Sequence, residues 1–409
     1  MKPSWTFLLV GFLDLMSIFL ILPYVDIHAK ELGFNHIQIG LLGAVYPGCQ
    51  MISSPIVGSI GDVRGRRTIL LYCLIVCAIT YFWLGITSSL LAFFGLRILL
   101  GTFKHTQLLT KALAPDYLDN PDDISTLYGR LMSLGSLGLA LGSVLSGYAM
   151  EAFPNSGFTI MCIILSAFFV INAGLINSLP ETAREKKDKS TATFEASKIL
   201  DLTIDTFKKT INKFYSIDWV TYWDIFVFKL VLSASVGLYY SNFRLFLMTE
   251  HGLSHVYLGY IVAAEGVVSS IINNSVAYIN KFYVNDKDYS QRILHIFFLI
   301  VFSLVGLALV PNVYLFVVLL IPKAVSFSLA RIVSLEVVAT RGGPDSRGTL
   351  IGAFSSVRSI AGIVTPLISG VINHYLGVTY AFLTAALFAT IGLVLSYRVR
   401  LKSIHEKTK

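Results

Sequence analysis

Seven ionisable residues stand where ionisable residues are costly. Asp14, Arg97, Lys104, Lys229, Glu265, Lys323 and Arg358 each interrupt a long apolar run. At a bilayer midplane such a charge costs ~2.5–3.5 kcal/mol on insertion scales, so these side chains are expected to face protein or a water-filled cavity. Two kinds of chemistry are open to them. A carboxyl in a low-dielectric site changes its proton occupancy as a cation approaches or leaves, which makes Asp14 and Glu265 the candidates for taking up and releasing protons. A guanidinium or ammonium in the same setting holds an anion. Arg97, Lys104, Lys229, Lys323 and Arg358 are the candidates for lining a cavity that receives one, and their excess over the two acids biases that cavity toward negative charge. The competing explanation is structural: Asp14 and Glu265 neutralise neighbouring cations as buried pairs, with Lys229 or Lys323 the partner of Glu265. Arg331 lies low enough in its run to snorkel toward the interface and is the weakest addition to the set. Tyr46 and Gln50 in the second span are candidates for added polar contacts, with plain packing as the commoner role of uncharged residues there.

The elements that position these residues follow from hydropathy. Hydrophobic residues make up 55% of the 409, charged residues 14%, and the mean hydropathy is +0.71. A soluble domain carries about a quarter charged residues, so lipid is the expected solvent for most of this surface. A crossing helix needs ~20 mostly apolar residues. Runs of that kind lie at 5–24, 37–60, 68–86, 90–109, 127–150 and 157–179, then at 219–243, 257–279, 293–309, 313–338, 349–371 and 380–397. The expected fold is an all-α membrane protein with about twelve transmembrane helices. The run 5–24 has no small-residue cleavage site and is read as the first span. The four cysteines lie in apolar runs as packing residues, with no disulfide framework and no metal site.

Lysine and arginine set the expected orientation. With a cytoplasmic N-terminus, the inner side holds Arg64, Arg66, Arg67, the basic group within 184–213, Lys281, Lys287, Arg292, Arg341, Arg347 and the basic tail. The outer side holds Lys30 and Arg244. The positive-inside rule then predicts both termini in the cytosol. The net charge of +8 is read as topology and contact with an anionic lipid bilayer, and not as nucleic-acid binding.

The halves repeat. Shifting 125–148 by 223 positions aligns it with 348–371, with identities at Thr126/Thr349, Leu127/Leu350, Gly129/Gly352, Ser133/Ser356, Ser136/Ser359, Ser146/Ser369 and Gly147/Gly370. The fifth and eleventh spans are therefore expected to be equivalent members of two six-helix repeats, an arrangement that can rock about a midplane site.

After the second span the chain reads Gly58-Ser-Ile-Gly-Asp62-Val-Arg-Gly65-Arg66-Arg67. This resembles the signature loop of the major facilitator superfamily. Asp14 ahead of Pro23, Arg97-x-x-x-Gly101 and Leu179-Pro180-Glu181-Thr182 are similar to further motifs of that superfamily. The runs Phe103-Lys104-His105-Thr106, Trp223-Asp224-Ile225-Phe226, Tyr239-Tyr240-Ser241-Asn242-Phe243 and Gly348-Thr349-Leu350-Ile351-Gly352 resemble one branch of it. The resemblance implies two pseudo-symmetric six-helix bundles, at 1–182 and 219–398, followed by a cytoplasmic tail at 399–409. It also implies a cavity lined by the first, fourth, seventh and tenth helices. Gly58, Asp62, Gly65, Arg66, Arg67 and Asp116 would form a gate, with Asp62 capping the eleventh helix and Arg66 reaching Asp116. One departure weakens an antiporter reading: Ser143 stands where the fifth helix of drug–proton antiporters carries proline.

The linker at 183–218 places Leu200, Ile204, Phe207, Ile211 and Phe214 at steps of three and four, with lysines on other faces. It is predicted to hold an interfacial amphipathic helix; a flexible linker with accidental periodicity is the alternative. No phosphate loop, H-E-x-x-H or G-x-S-x-G occurs, so no enzyme activity and no cofactor are expected. The expected function is movement of a small solute, anionic if the charge excess is meaningful, with protons as a second partner. A non-transporting receptor or scaffold of the same fold is the alternative.

Overall fold

A computed structural model describes residues 3–118, 121–180, 208, 219–284, 286, 288–341 and 347–408. The linker helix expected within 183–218 falls outside these residues, apart from Lys208. The described chain is helical. Helices α1 (Pro3–Ile21) and α2 (Val25–Glu31) are joined by a 3₁₀ turn containing Pro23. There follow α3 (His36–Arg64), α4 (Arg66–Ile86), α5 (Leu90–Phe103), α6 (Thr106–Leu113), α7 (Pro121–Ala152) and α8 (Gly157–Asn177). The later elements are α9 (Trp219–Glu250), α10 (His255–Asn280), α11 (Ser290–Leu309), α12 (Val313–Arg341), α13 (Arg347–Tyr375) and α14 (Val378–Thr408). Among the described residues nine helical segments are long and apolar enough to cross a membrane. The rods α3, α5 with α6, and α7 are not among those nine: α3 contains Pro47 and Pro55, and α5 stops after 14 residues.

Local chemistry sets the helix ends. Asn35 and Gln38 cap α3 reciprocally, each side chain accepting the other's backbone N–H at 2.9 Å. The stretch expected as a signature loop is a correction: helix runs through Arg64, and only Gly65, at φ 89°, separates α3 from α4. A side chain there would be strained, so glycine makes the turn.

The larger correction concerns the fourth span. It is not one helix across 90–109 but two, interrupted at Lys104 and His105 without a proline. Broken backbone at membrane depth persists only where other groups satisfy it, and α3 supplies them. Gln50 Nε2 donates to the Lys104 carbonyl at 2.9 Å. Ser53 Oγ lies 2.8 Å from His105 Nε2, and Ser54 Oγ 3.4 Å from His105 Nδ1. Close approach of the helices depends on Gly101, where a Cβ would stand 2.7 Å from the Tyr46 carbonyl oxygen.

The described chain divides into two compact units. The first comprises Met1–Phe34, Val45–Asn212 and Ser254–Ala263; the second comprises Asn35–Ala44, Lys213–Leu253 and Ala264–Lys409. Within the first, α1 packs on α7 and α8, and α4 packs on α8. Within the second, α9 packs on α13 and α14, and α11 packs on α14. Counting spans from the start of each half, the partners correspond, so the repeat seen between 125–148 and 348–371 extends to helix packing.

Candidate functional site

The first unit holds three of the singled-out charges. Asp14 is fully buried in the middle of α1, and its Oδ1 lies 2.8 Å from Lys104 Nζ. The interruption after Phe103 is what frees Lys104 from a regular helical direction, and Phe169 of α8 presents its ring 5.2 Å from the ammonium. The second carboxylate oxygen of Asp14 has no hydrogen-bond partner among the described residues. Arg97 differs. It is 6% exposed, its guanidinium carbon lies 5.1 Å from the centre of the Tyr46 ring, and its Nε has no hydrogen-bond partner. Among the described residues no carboxylate pairs with it. A guanidinium that is buried and uncompensated is expensive, and the stacked tyrosine offsets only part of that cost.

The second unit repeats the motif with other elements. Lys323 of α12 is fully buried, with its Nζ 2.7 Å from Glu265 Oε2 on α10. The hydroxyl of Tyr239 donates to the other carboxylate oxygen at 3.2 Å. Of the two partners open to Glu265, the fold selects Lys323 and not Lys229. Lys229 instead lies 4.7 Å from the Phe354 ring and lines a partly open cavity with Asp224, Phe228, Ile296 and Val333. Arg358, on α13, is exposed. Neither Lys229 nor Arg358 has a carboxylate partner among the described residues.

The signature residues form a separate cluster. Arg66 Nη2 contacts Asp62 Oδ1 at 2.9 Å, Arg66 Nη1 lies 3.6 Å from Asp116 Oδ1, and the same nitrogen donates to the Ala112 carbonyl. Arg67 donates to the carbonyls of Ile176 and Asn177 at 3.1 and 2.7 Å, satisfying the carboxyl-terminal end of α8. Gly58 lies within α3, where a Cβ would meet nothing within 4 Å. The cap expected from Asp62 onto the eleventh helix concerns residues next to 342–346, which lie outside the described residues.

Asp286 was not legible in the sequence as a site residue. This buried carboxylate accepts the backbone N–H groups of Gln291 and Arg292 at 3.0 and 2.8 Å, capping α11, and pairs with Arg292 and Arg400. The contact between His105 and Ser53 was not legible there either. Polar residues in the apolar run of α3 were the available signal, and what they contact is non-local. Among the described residues no three His, Cys, Asp or Glu side chains converge as a metal site.

Comparison with known proteins agrees with this architecture. The profile of the Major Facilitator Superfamily matches residues 7–285 and 282–409. Solute carrier family 22 member 18 of Rattus norvegicus is 25% identical over 371 residues, which cover 88% of this chain and 84% of that protein. The crystal structure of the human organic anion transporter MFSD10 superposes with a TM-score of 0.62 at 20% identity, covering 97% of this chain and 99% of that one. The nucleoside transporter NupG gives a TM-score of 0.72 at 17% identity, covering 97% and 98%. The match spans nearly the whole chain, and the chain belongs to the Major Facilitator Superfamily, a family of multi-pass membrane transporters.

Proposed function

We propose that this protein is a secondary transporter that moves a small organic anion by alternating access, with a proton bound and released at Asp14. The observation that carries the reading is Arg97: a permanently charged guanidinium, 6% exposed, with no carboxylate partner among the described residues. Its missing counter-charge is best supplied by a substrate. The two carboxylates of the set, Asp14 and Glu265, are each committed to one lysine, so the remaining cations of the set carry the net positive charge. Lys104 and Lys323 would become available to substrate only when their carboxylates are protonated, which links the proton to the anion. Glu265 is the reserve proton site.

The solved structure of a human organic anion transporter among the similar folds suits an anionic substrate. The branch-specific runs around Lys104 and Tyr239 also resemble major facilitator superfamily domain-containing protein 9, a likeness that brings no substrate with it. The positive-inside rule puts both termini in the cytosol. The test is uptake by liposomes containing the purified protein, across a panel of organic anions, with and without an inward proton gradient. Saturable uptake of one anion class, accelerated by the gradient, is expected. Uptake of no anion, with cations or neutral solutes moved instead, overturns the reading.

The Asp62–Arg66–Asp116 cluster joins α3 to the end of the α6 rod within the first unit, and we assign it to holding one access state. Arg66→Gln is expected to slow uptake about tenfold, as loss of the charge-assisted links to Asp62 and Asp116 biases the two states. Unchanged uptake would remove the cluster from the transport cycle.

A further inference from the structure

The two buried lysines have unlike surroundings. Lys104 has its carboxylate and one ring. Around Lys323 Nζ, the ring centres of Tyr239, Tyr240, Phe327 and Phe243 stand at 4.2, 5.1, 5.3 and 5.6 Å, and Glu265 closes the remaining side at 2.7 Å. Three of the rings come from one turn of α9 and the fourth from the turn after Lys323 on α12. Apart from Glu265, no acceptor serves the ammonium among the described residues.

A lysine held for structure alone is ordinarily met by oxygens, because its three N–H groups want acceptors. Ring faces arranged about a point charge suit a different ion. They attract a cation through their quadrupoles and need no hydrogen bond from it, which is how aromatic cages recognise alkylammonium groups. A carboxylate on the side the rings leave free completes such a site, and the Tyr239 hydroxyl donates to that carboxylate. Pro322, directly before Lys323 in α12, removes a backbone hydrogen bond at this turn.

We propose that Tyr239, Tyr240, Phe243, Phe327 and Glu265 form an organic-cation site of the second unit, and that Lys323 is its tethered occupant. Lys323 thereby acts as a selectivity residue: while its ammonium fills the cage, a free alkylammonium has no place to bind. The assignment concerns binding within one unit and stands whether or not the transported solute is an anion.

The test uses the full-length protein in lipid nanodiscs, with n-butylammonium as the probe because it is the alkylammonium of a whole lysine side chain, one methylene longer than the part that Lys323→Ala removes. Binding is followed by calorimetry. Lys323→Ala is expected to bind n-butylammonium saturably and at least tenfold more tightly than the parent, with tetramethylammonium competing. The double variant Lys323→Ala/Glu265→Gln is expected to lose that gain. Binding no tighter than the parent, or equal binding of the neutral n-butanol, overturns the proposal, since the latter would show only an apolar cavity. Should Lys323→Ala not be monodisperse when extracted, the extraction is repeated in n-butylammonium. Recovery of monodisperse Lys323→Ala, absent in the double variant, supports the cage; no recovery overturns it.

Discussion

Arg97→Gln protein, free of substrate, is expected to unfold at a higher temperature than the parent while losing organic-anion uptake about a hundredfold. The two halves of this result come from one cause. Arg97 is buried against Tyr46 without a counter-charge, and removing an uncompensated buried charge relieves its desolvation cost. In the loaded protein the guanidinium is paired with the anion, where loss of one partner of a buried charge pair costs roughly 2–5 kcal/mol. At 1.4 kcal/mol per factor of ten, about a hundredfold corresponds to the lower half of that range. Substrate should stabilise the parent against heating and leave Arg97→Gln unmoved. Arg97→Lys keeps the charge but not the planar fork and should recover only part of the uptake. If Arg97→Gln is less stable than the parent and still transports, the guanidinium is structural and the anion reading fails.

Asp14→Asn should separate driving force from movement. The carboxylate faces Lys104 at 2.8 Å with no water-exposed surface on either residue to speak of. Neutralising Asp14 leaves a buried ammonium alone, a change that typically costs about 3–5 kcal/mol, so the folded yield should fall. Asp14→Asn/Lys104→Met removes both charges and should restore the yield. In the assay, the single variant that does fold should exchange substrate across the membrane but no longer accumulate it against a gradient when the outside is acid. The double variant should fold without regaining proton-driven accumulation. Proton-driven accumulation that persists in both Asp14→Asn and Glu265→Gln would take the carboxylates out of the mechanism and leave a facilitator.

Hydropathy, turn glycine and charge count are local properties, and what depends on them was legible in the linear chain. The apolar runs locate the rods because bilayer thickness sets their length. The repeat between 125–148 and 348–371 anticipates the matching helix packing of the two units. Gly65 between Asp62 and Arg66 anticipates a turn, although the turn is a single residue and not a loop. The inventory of costly charges also came from the sequence, because a charge in an apolar run is visible without its partner.

The partners were not visible, because each is a long-range choice. Asp14 and Lys104 are 90 positions apart, and their pairing needs α5 to stop at Phe103. No proline marks that stop; Gln50 of α3 donates to the Lys104 carbonyl there and Ser53 meets the His105 ring, contacts that only packing brings about. Glu265 had two lysines within reason, and the placement of α10 against α12 gave it Lys323. Five cations looked alike as a set. Tertiary structure divided them: two are neutralised, one is buried with a tyrosine and no acid, one lines a cavity, and one is exposed. Sequence determined that this chain would place charge inside a membrane, and the fold alone decided which of those charges were left without a counter-ion, because pairing depends on distances between helices that no local pattern encodes.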